Sequence, residues 1–401
     1  MTIFCDYLII GAGIVGLTVA YELKKRHPSS NIIIIEKEPD VAKHASGRNS
    51  GVLHSGVYYG TTTLKAKVCS TGAARMKEFA KEHNIECKSF GKVIIATSEK
   101  DLLIIDSLLQ NSINNGINVN RLDEKGVREI EPYASPHKAG IYSPNTAVID
   151  SKAVVFKLKF LLESAGVKFF FNSRIKEVSL KNRTIKTYNN NFSYGYVYNC
   201  AGAGADLVAK KFGHAENYSL VPFKGIYYKL KKSKTYMVKG NIYPVPDIEQ
   251  PFLGVHLTRV ISGDVYIGPT AIPAFGRENY GIFSGIEFLE GLNISKNIIS
   301  MYYANNKHFR GLVHAEIKKY LKPWFLESAR KLVNILKSDD LEISDKVGIR
   351  PQLINLKTKY LEMDFVLQKD EFSMHVLNSI SPAFTCSFAF AEYIVNLAEK
   401  N

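Results

Sequence analysis

The chain is 401 residues long, 46% hydrophobic and 22% charged, with a formal net charge of +14. That length asks for about two folded domains, and the composition excludes a disordered or fibrous chain; no stretch approaches the roughly 18 apolar residues of a membrane-spanning helix. The positive charge is dispersed, not blocked, and no nucleic-acid motif accompanies it, so nucleic acid is not expected as a partner, whereas small anions or an anionic membrane face suit it.

Asp6 interrupts the first apolar stretch, so no secretory leader is expected and the cytoplasm is the expected compartment. The cysteines Cys5, Cys69, Cys87, Cys200 and Cys386 are scattered without a C-x-x-C pair, which predicts reduced thiols and no metal centre. Residues 4–10 form an apolar, β-branched run that predicts a buried strand. It enters Gly11-Ala12-Gly13-Ile14-Val15-Gly16, and a helix follows with Leu17, Val19, Ala20 and Leu23 on its apolar side. Residues 32–35 predict a second buried strand that ends on Glu36. In such a unit the first glycine permits a tight bend, the second lets a pyrophosphate approach the backbone, and the third lets helix and strand pack closely. The helix N-terminus offers free N–H groups to phosphates, and the terminal acid accepts from ribose hydroxyls. Strand, turn, helix, second strand and acid agree on a dinucleotide site.

Residues 37–46 are polar and predict a loop, and residues 47–59 are dense in Gly, Ser and His, a composition suited to a backbone pressed against a flat ligand. Helices are predicted over 64–84, over 101–115 (closed by Gly116) and over 152–165, with strands over 92–97 and 167–171. Residues 90–145 read as an insertion of mixed α and β character. Strands over 175–178 and 184–188 form a meander, and the strand over 194–200 opens into Ala201-Gly202-Ala203-Gly204, a second small-residue turn. Further strands are expected over 225–230 and 265–268, helical structure over 285–336, and a last helix over 383–399. There are no internal repeats and no low-complexity linker, so two interleaved domains are expected.

The segment Gly47-Arg48-Asn49-Ser50-Gly51-Val52-Leu53-His54-Ser55-Gly56-Val57-Tyr58-Tyr59 resembles the motif of L-2-hydroxyglutarate oxidases and dehydrogenases, FAD enzymes of the D-amino-acid-oxidase-like superfamily. The likeness continues through Leu64-Lys65-Ala66, Gly91-Lys92-Val93-Ile94, Asn199-Cys200-Ala201-Gly202, Pro222-Phe223-Lys224-Gly225, Gly254-Val255-His256-Leu257-Thr258-Arg259, Gly268-Pro269, Gly348-Ile349-Arg350-Pro351-Gln352 and Ser381-Pro382, nearly the whole chain in order. It implies an α/β fold: a Rossmann-like FAD-binding domain (1–90, 146–215 and 340–401) interleaved with an α+β substrate-binding domain built on an antiparallel sheet (91–145 and 216–339). It implies FAD as cofactor, with Gly11, Gly13, Gly16, Glu36 and Lys37 at the ADP half. Arg48, Asn49, Ser50 and Gly51 would meet the pyrophosphate and isoalloxazine, Val178 the adenine, and Ala201 and Gly202 the length of the cofactor. Ala383, Phe384 and Thr385 would offer N–H groups to the flavin pyrimidine, where they and a helix dipole stabilise negative charge.

Oxidation of a 2-hydroxy acid, here L-2-hydroxyglutarate to 2-oxoglutarate, needs a carboxylate clamp, a proton acceptor and exclusion of water. Arg350 and Arg259 are the expected clamps, although Arg259 and His256, three apart in a strand, face opposite sides unless the strand bends. His54 is the leading base and His256 its rival. Tyr58 and Tyr59 could cap the pocket, and Lys224 could hold a distal carboxylate. The expected partners are a small 2-hydroxy dicarboxylate and, as electron acceptor, oxygen or a membrane quinone. The aromatic, basic residues 302–324 are the candidate for peripheral contact at the inner face of the cell membrane. The alternatives are an amine or amino-acid oxidase, a glycerol-3-phosphate-dehydrogenase-like flavoenzyme, and a non-catalytic flavin-binding subunit.

Overall fold

The computed structural model describes residues 2–247 and 252–400. Its first strand, Thr2–Ile10, lies inside an eight-stranded sheet, parallel to Ile32–Ile35 on one side and to Asn191–Asn199 on the other. Strand Lys168–Phe170 extends the parallel run beyond Ile32–Ile35, and the meander Ile175–Ser179 and Thr184–Thr187 joins antiparallel at the other edge. The helices Ile14–Arg26, Ser151–Ser164 and Ser387–Glu399 cover one face. Leu8, Ile10, Ile33 and Ile35 pack on the other face against Ile185, Phe192 and Phe212. With both faces covered, all four isoleucines of Ile32–Ile35 are buried, which is why this strand reads as an unbroken apolar run; each contributes about 2 kcal/mol relative to exposure. Lys24, Lys25 and Arg26 end the first helix, where cations suit the negative dipole end.

A second, nine-stranded sheet is mostly antiparallel, with strand order Ile272–Pro273, Tyr218–Leu230, Val265–Gly268, His256–Arg259, Asn241–Pro244, Lys92–Ile95, Ala139–Ser143 and Asn120–Asp123. The stretch read as an insertion is therefore one wing of this sheet, joined to the rest by the parallel pair Lys92–Ile95 and Asn241–Pro244. The ninth strand, Leu341–Asn355, runs antiparallel along Tyr218–Leu230 from Leu341 to Asn355. A boundary at 340 cuts just ahead of this strand, and its pairing lies with the second sheet, not the first; backbone pairing across more than a hundred residues leaves no local trace in the sequence. Helix Lys322–Arg330 closes the outer face of this sheet through Phe325, Leu326 and Ala329. A small three-stranded sheet, Val52–Leu53, Ala147–Ile149 and Cys87–Lys88, ties the glycine- and serine-rich loop to its surroundings.

The helical region expected over 285–336 is three helices, Phe288–Ala304, Phe309–Lys318 and Lys322–Arg330. Asn305, Lys307 and His308 take positive φ and break the first from the second. The last helix begins at Ser387, four residues later than expected, because 381–386 form a turn instead.

Candidate active site

A cavity of about 910 Å³ lies between the two sheets, and its lining runs from the first glycine turn to the second sheet. At the near end the three glycines serve three different needs. Gly11 has φ +103°, and a Cβ there would lie 2.5 Å from the Cys200 carbonyl. A Cβ on Gly16 would lie 2.0 Å from Gly11 O, so this glycine lets helix and turn pack and does not line the cavity. A Cβ on Gly13 would meet only Ser46 Oγ, at 3.2 Å, and Gly13 faces the open cavity. Glu36 is held at the strand end by two backbone donors, Ala12 N–H to Oε2 at 2.8 Å and Glu38 N–H to Oε1 at 3.0 Å. The carboxylate faces the cavity with lone pairs to spare.

Lys37 also lines the cavity, but its ammonium is engaged by Glu38, His44 and Glu278. Partial burial works against the Glu38 carboxylate, yet hydrogen bonds from Lys37 and His44 hold it down at about 2. Arg48 donates Nε–H to Lys43 O and lays its guanidinium 4.1 Å from the Tyr280 ring centre. Asn49 accepts from Gly51 N–H at 2.8 Å and donates to Ser46 O, which shapes the loop. Ser50 lines the cavity, while Gly51 does not: at φ +75°, with Ile149 O 2.4 Å from where its Cβ would be, it lets the loop pass the neighbouring strand. Ala201 and Gly202 line the opposite wall, and Ala383, Phe384 and Thr385 line the wall beside the last helix. Thr385 accepts from His54 N–H at 3.2 Å and donates to Val52 O at 3.3 Å. Val178 is not among the lining residues; it packs against the apolar core of the first sheet, and Ser173, Arg174 and Ile175 reach the cavity instead.

At the deep end, beneath the second sheet, the cavity gathers His54, Tyr58, Tyr59, Tyr227, Tyr243, Phe252, His256 and Arg350. Arg350 stands opposite Phe223 in the paired strands, and its guanidinium lies 5.5 Å from the Phe252 ring centre. No carboxylate pairs with it among the described residues, and burial lowers its proton affinity against the pull of Tyr227 and Glu316. His256 places Nδ1 2.8 Å from Gly254 O, an acceptor only, so the proton sits on Nδ1 and Nε2 carries the lone pair. Its ring stacks on Tyr243 at 3.9 Å. His54 Nδ1 has no partner among the described residues. Burial, then the cations Lys92 and Arg350 and the other histidine, push His54 down to about 3, and burial with the same cations brings His256 to about 3. Both rings are neutral at neutral pH and take a proton only when an anion alongside offsets those cations.

Arg259 does not reach this site. The strand His256–Arg259 does not bend, so the side chains leave opposite faces. The guanidinium donates to Val238 O, Thr235 O and Gly263 O and is absent from the cavity lining. Lys224 is likewise buried elsewhere, with Nζ donating to Gly281 O at 2.6 Å. Tyr227 and Tyr243 escaped the sequence because aromatics in strands read as core, and Phe252, in the bend ahead of His256–Arg259, carried no motif. Lys65, a lining residue that donates Nζ–H to Met363 O, escaped because it lies in a helix among other lysines.

The profile of the family described as "FAD dependent oxidoreductase" (DAO) matches residues 6–397. The L-2-hydroxyglutarate dehydrogenase of Indibacter alkaliphilus is 36% identical over 399 residues, covering 98% of each chain. The mitochondrial L-2-hydroxyglutarate dehydrogenase of Homo sapiens is 34% identical, covering 98% of this chain and 89% of its own. Among solved structures, dithionite-reduced L-alpha-glycerophosphate oxidase from Mycoplasma pneumoniae with FAD bound aligns over 99% of this chain and 95% of its own, with TM-score 0.78 at 21% identity. Glycine oxidase from Geobacillus kaustophilus aligns over 100% and 96%, with TM-score 0.71 at 16% identity. Glycine turn, terminal acid, second small-residue turn and continuous cavity fit the cofactor that this likeness requires, and the chain belongs to the DAO family of FAD-dependent oxidoreductases.

Proposed function

We propose that the protein oxidises L-2-hydroxyglutarate to 2-oxoglutarate with FAD. The observation that carries this reading is Arg350, a cavity-facing guanidinium without a carboxylate partner among the described residues, set with two neutral histidines at the end of a dinucleotide cradle. Relatives that share nearly the whole chain are named for the same reaction. Gly11, Gly13, Glu36 and Lys37 would hold the ADP half of the cofactor. Arg48, Asn49, Ser50, Ala201, Gly202 and Ala383 to Thr385 would line its remainder, with Gly16, Gly51 and Val178 acting through packing. When bound, FAD accepts the hydride from C2.

The protein's own groups do the rest. Arg350 grips the C1 carboxylate with its planar fork and so fixes which face of C2 is turned to the cofactor. His54 takes the hydroxyl proton, and its neighbour His256 presents Nε2 to the same region. Entry of the anionic substrate offsets Arg350 and raises both histidines' proton affinity when a base is needed. Tyr58, Tyr59, Tyr227 and Tyr243 wall off water. The second sheet thus carries Arg350, His256, Tyr227 and Tyr243, and the loop after Val52–Leu53 carries His54, Tyr58 and Tyr59. Anaerobic titration with L-2-hydroxyglutarate, following the flavin band near ~450 nm, tests this. Bleaching by that acid and not by D-2-hydroxyglutarate, L-lactate, glycerol-3-phosphate or glycine is expected; bleaching by glycine alone would replace the substrate with an amine.

The acceptor side of the reaction we place at a membrane. No helix among the described residues is long and apolar enough to cross one. However, Ile282, Phe283, Phe288 and Leu289 are 78–84% exposed, beside Gly285, Ile286 and Glu287 at the cavity lining. Helix Phe288–Ala304 buries Gly291, Ile294, Asn297 and Met301 and turns Phe288, Leu292, Ile299 and Tyr303 outward with Lys296. Such an apolar face suits a bilayer surface, and its centre lies N-terminal to residues 302–324. Sedimentation with phosphatidylglycerol vesicles, lost in Phe283→Glu/Phe288→Glu, is expected; a protein that stays in the supernatant with those vesicles overturns the contact.

A further inference from the structure

Lys92 opens the strand Lys92–Ile95 and is 1% exposed. It shares a strand face with Ile94, which packs with Val57, Tyr58 and Tyr243, whereas Val93 and Ile95 face the opposite core. Its Nζ makes no hydrogen bond among the described residues. It lies 4.5 Å from the Tyr58 ring centre and 5.3 Å from that of Tyr243, the ring on which His256 stacks. Both tyrosine hydroxyls are also without partners among the described residues, and both rings line the cavity while Lys92 does not. The groups around the ammonium are His54 and Tyr58 from the loop, Cys69 from helix Leu64–Glu82, and Tyr243 and His256 from strands of the same sheet, and Arg350 acts on the same two histidines. Ser143, opposite Lys92 in the sheet, bonds to Ser55 and Thr146. None of these is a carboxylate.

An ammonium buried without an anion is costly, and here two cations, Lys92 and Arg350, face one pair of neutral histidines. We infer that Lys92 is a positioning residue for a doubly charged substrate, an ammonium behind the Tyr58–Tyr243 wall that draws a dicarboxylate, in preference to a monocarboxylate, against His54 and His256. This rests on the substrate class proposed above. Its field crosses protein interior, where salt screens little. Burial, partly opposed by Cys69, lowers Lys92 to about 7. Its charge is therefore complete below neutral pH and fades as pH rises through 7, and a bound dianion draws the proton back.

The test is binding of 2-oxoglutarate and of the monocarboxylate 2-oxobutyrate to the flavin-loaded protein, for wild type, Lys92→Met and Lys92→Arg between pH 6 and 9. Wild-type affinity for 2-oxoglutarate should fall as pH rises past 7. Lys92→Arg, which keeps its charge, should remove that dependence. Lys92→Met should bind 2-oxoglutarate at least about tenfold more weakly, the equivalent of one pK unit of coupling, with 2-oxobutyrate little changed. In Lys92→Met the two histidines, followed by NMR, should titrate higher, a shift that a purely structural lysine would not cause. Equal losses for both acids, or histidine titration unmoved in a folded, flavin-loaded Lys92→Met, would overturn the role. Failure of wild type to bind 2-oxoglutarate at all would overturn the substrate class and this inference with it.

Discussion

Replacing Arg350 with methionine separates function from stability more sharply than any other change at the site. The side chain is partly buried, faces the cavity, and has no carboxylate partner among the described residues, so the folded protein bears its desolvation without a compensating ion pair. Methionine of similar length removes that cost, and the melting temperature should hold or rise. The substrate loses two charge-assisted hydrogen bonds, each worth about 1.5–3 kcal/mol. A total of roughly 3–6 kcal/mol corresponds to a fall of about 10²–10⁴ in kcat/KM. Flavin content should be unchanged. The histidines supply a second signature: Arg350 is one of the charges that depress His54 and His256. Without it both bind protons more readily, and the acid limb of the kcat/KM profile moves to higher pH. The assay is steady-state oxidation with an artificial acceptor across pH, beside a thermal melt. A loss under about tenfold, or a collapse in melting temperature, would show that Arg350 is a structural cation and not the clamp.

Arg259→Met should give the opposite pattern. It strands three backbone carbonyls, at about 1–3 kcal/mol each where buried, so the melting temperature falls while KM for the hydroxy acid stays within about twofold of wild type. Glu36→Gln keeps one of the two backbone bonds of the turn, sets an NH2 against the other N–H donor and weakens the acceptor for the cofactor's ribose; a loss of about 1.5–3 kcal/mol appears as flavin shed on gel filtration and restored by added FAD. His54→Asn should lower kcat by about 10²–10⁴ without loss of flavin. Because wild-type His54 and His256 lie near 3, their protonation should not limit the wild-type enzyme between pH 6 and 7; an acid limb with an apparent pKa near 6.5 would contradict that.

Residues 4–36 were legible because every requirement there is local: glycine where the chain bends or a helix crowds a strand, and an acid where the second strand stops. The second small-residue turn at Ala201 to Gly204 follows the same logic. The deep end of the site depends on pairings that local patterns do not carry. Arg350 could be named from its motif, but its place opposite Phe223 follows from a strand pairing across more than a hundred residues. Arg259 and His256 sat in one motif, and the two-residue period of an unbent strand sent them to opposite faces. Val178 fell on a strand whose pairing shifts register between Ile175 and Glu177, and the cavity is reached from Ser173 to Ile175 instead. Lys92 was hidden by its neighbours, since one lysine at the head of an apolar strand reads as an end that reaches solvent.

The interleaving of the two sheets has a chemical consequence. Arg277 is buried and bonds to Asp206 and the Ala203 carbonyl on the cofactor side, while its Nε reaches Glu290 of helix Phe288–Ala304. One residue on, Glu278 meets Lys37, and Tyr280 meets His44 and lies under Arg48. The segment from 277 to 280 therefore straps the loops of the dinucleotide cradle to the helix that bears the exposed apolar stripe. A buried ion pair of this kind contributes little net stability, but losing one partner is expensive, so it fixes a single arrangement of the parts it joins. That suits a site whose halves come from different sheets. A carboxylate held by Arg350 from the second sheet and a proton acceptor at His54, in the loop that follows Val52–Leu53, are useful only at one separation, and the strap is among the contacts that set it.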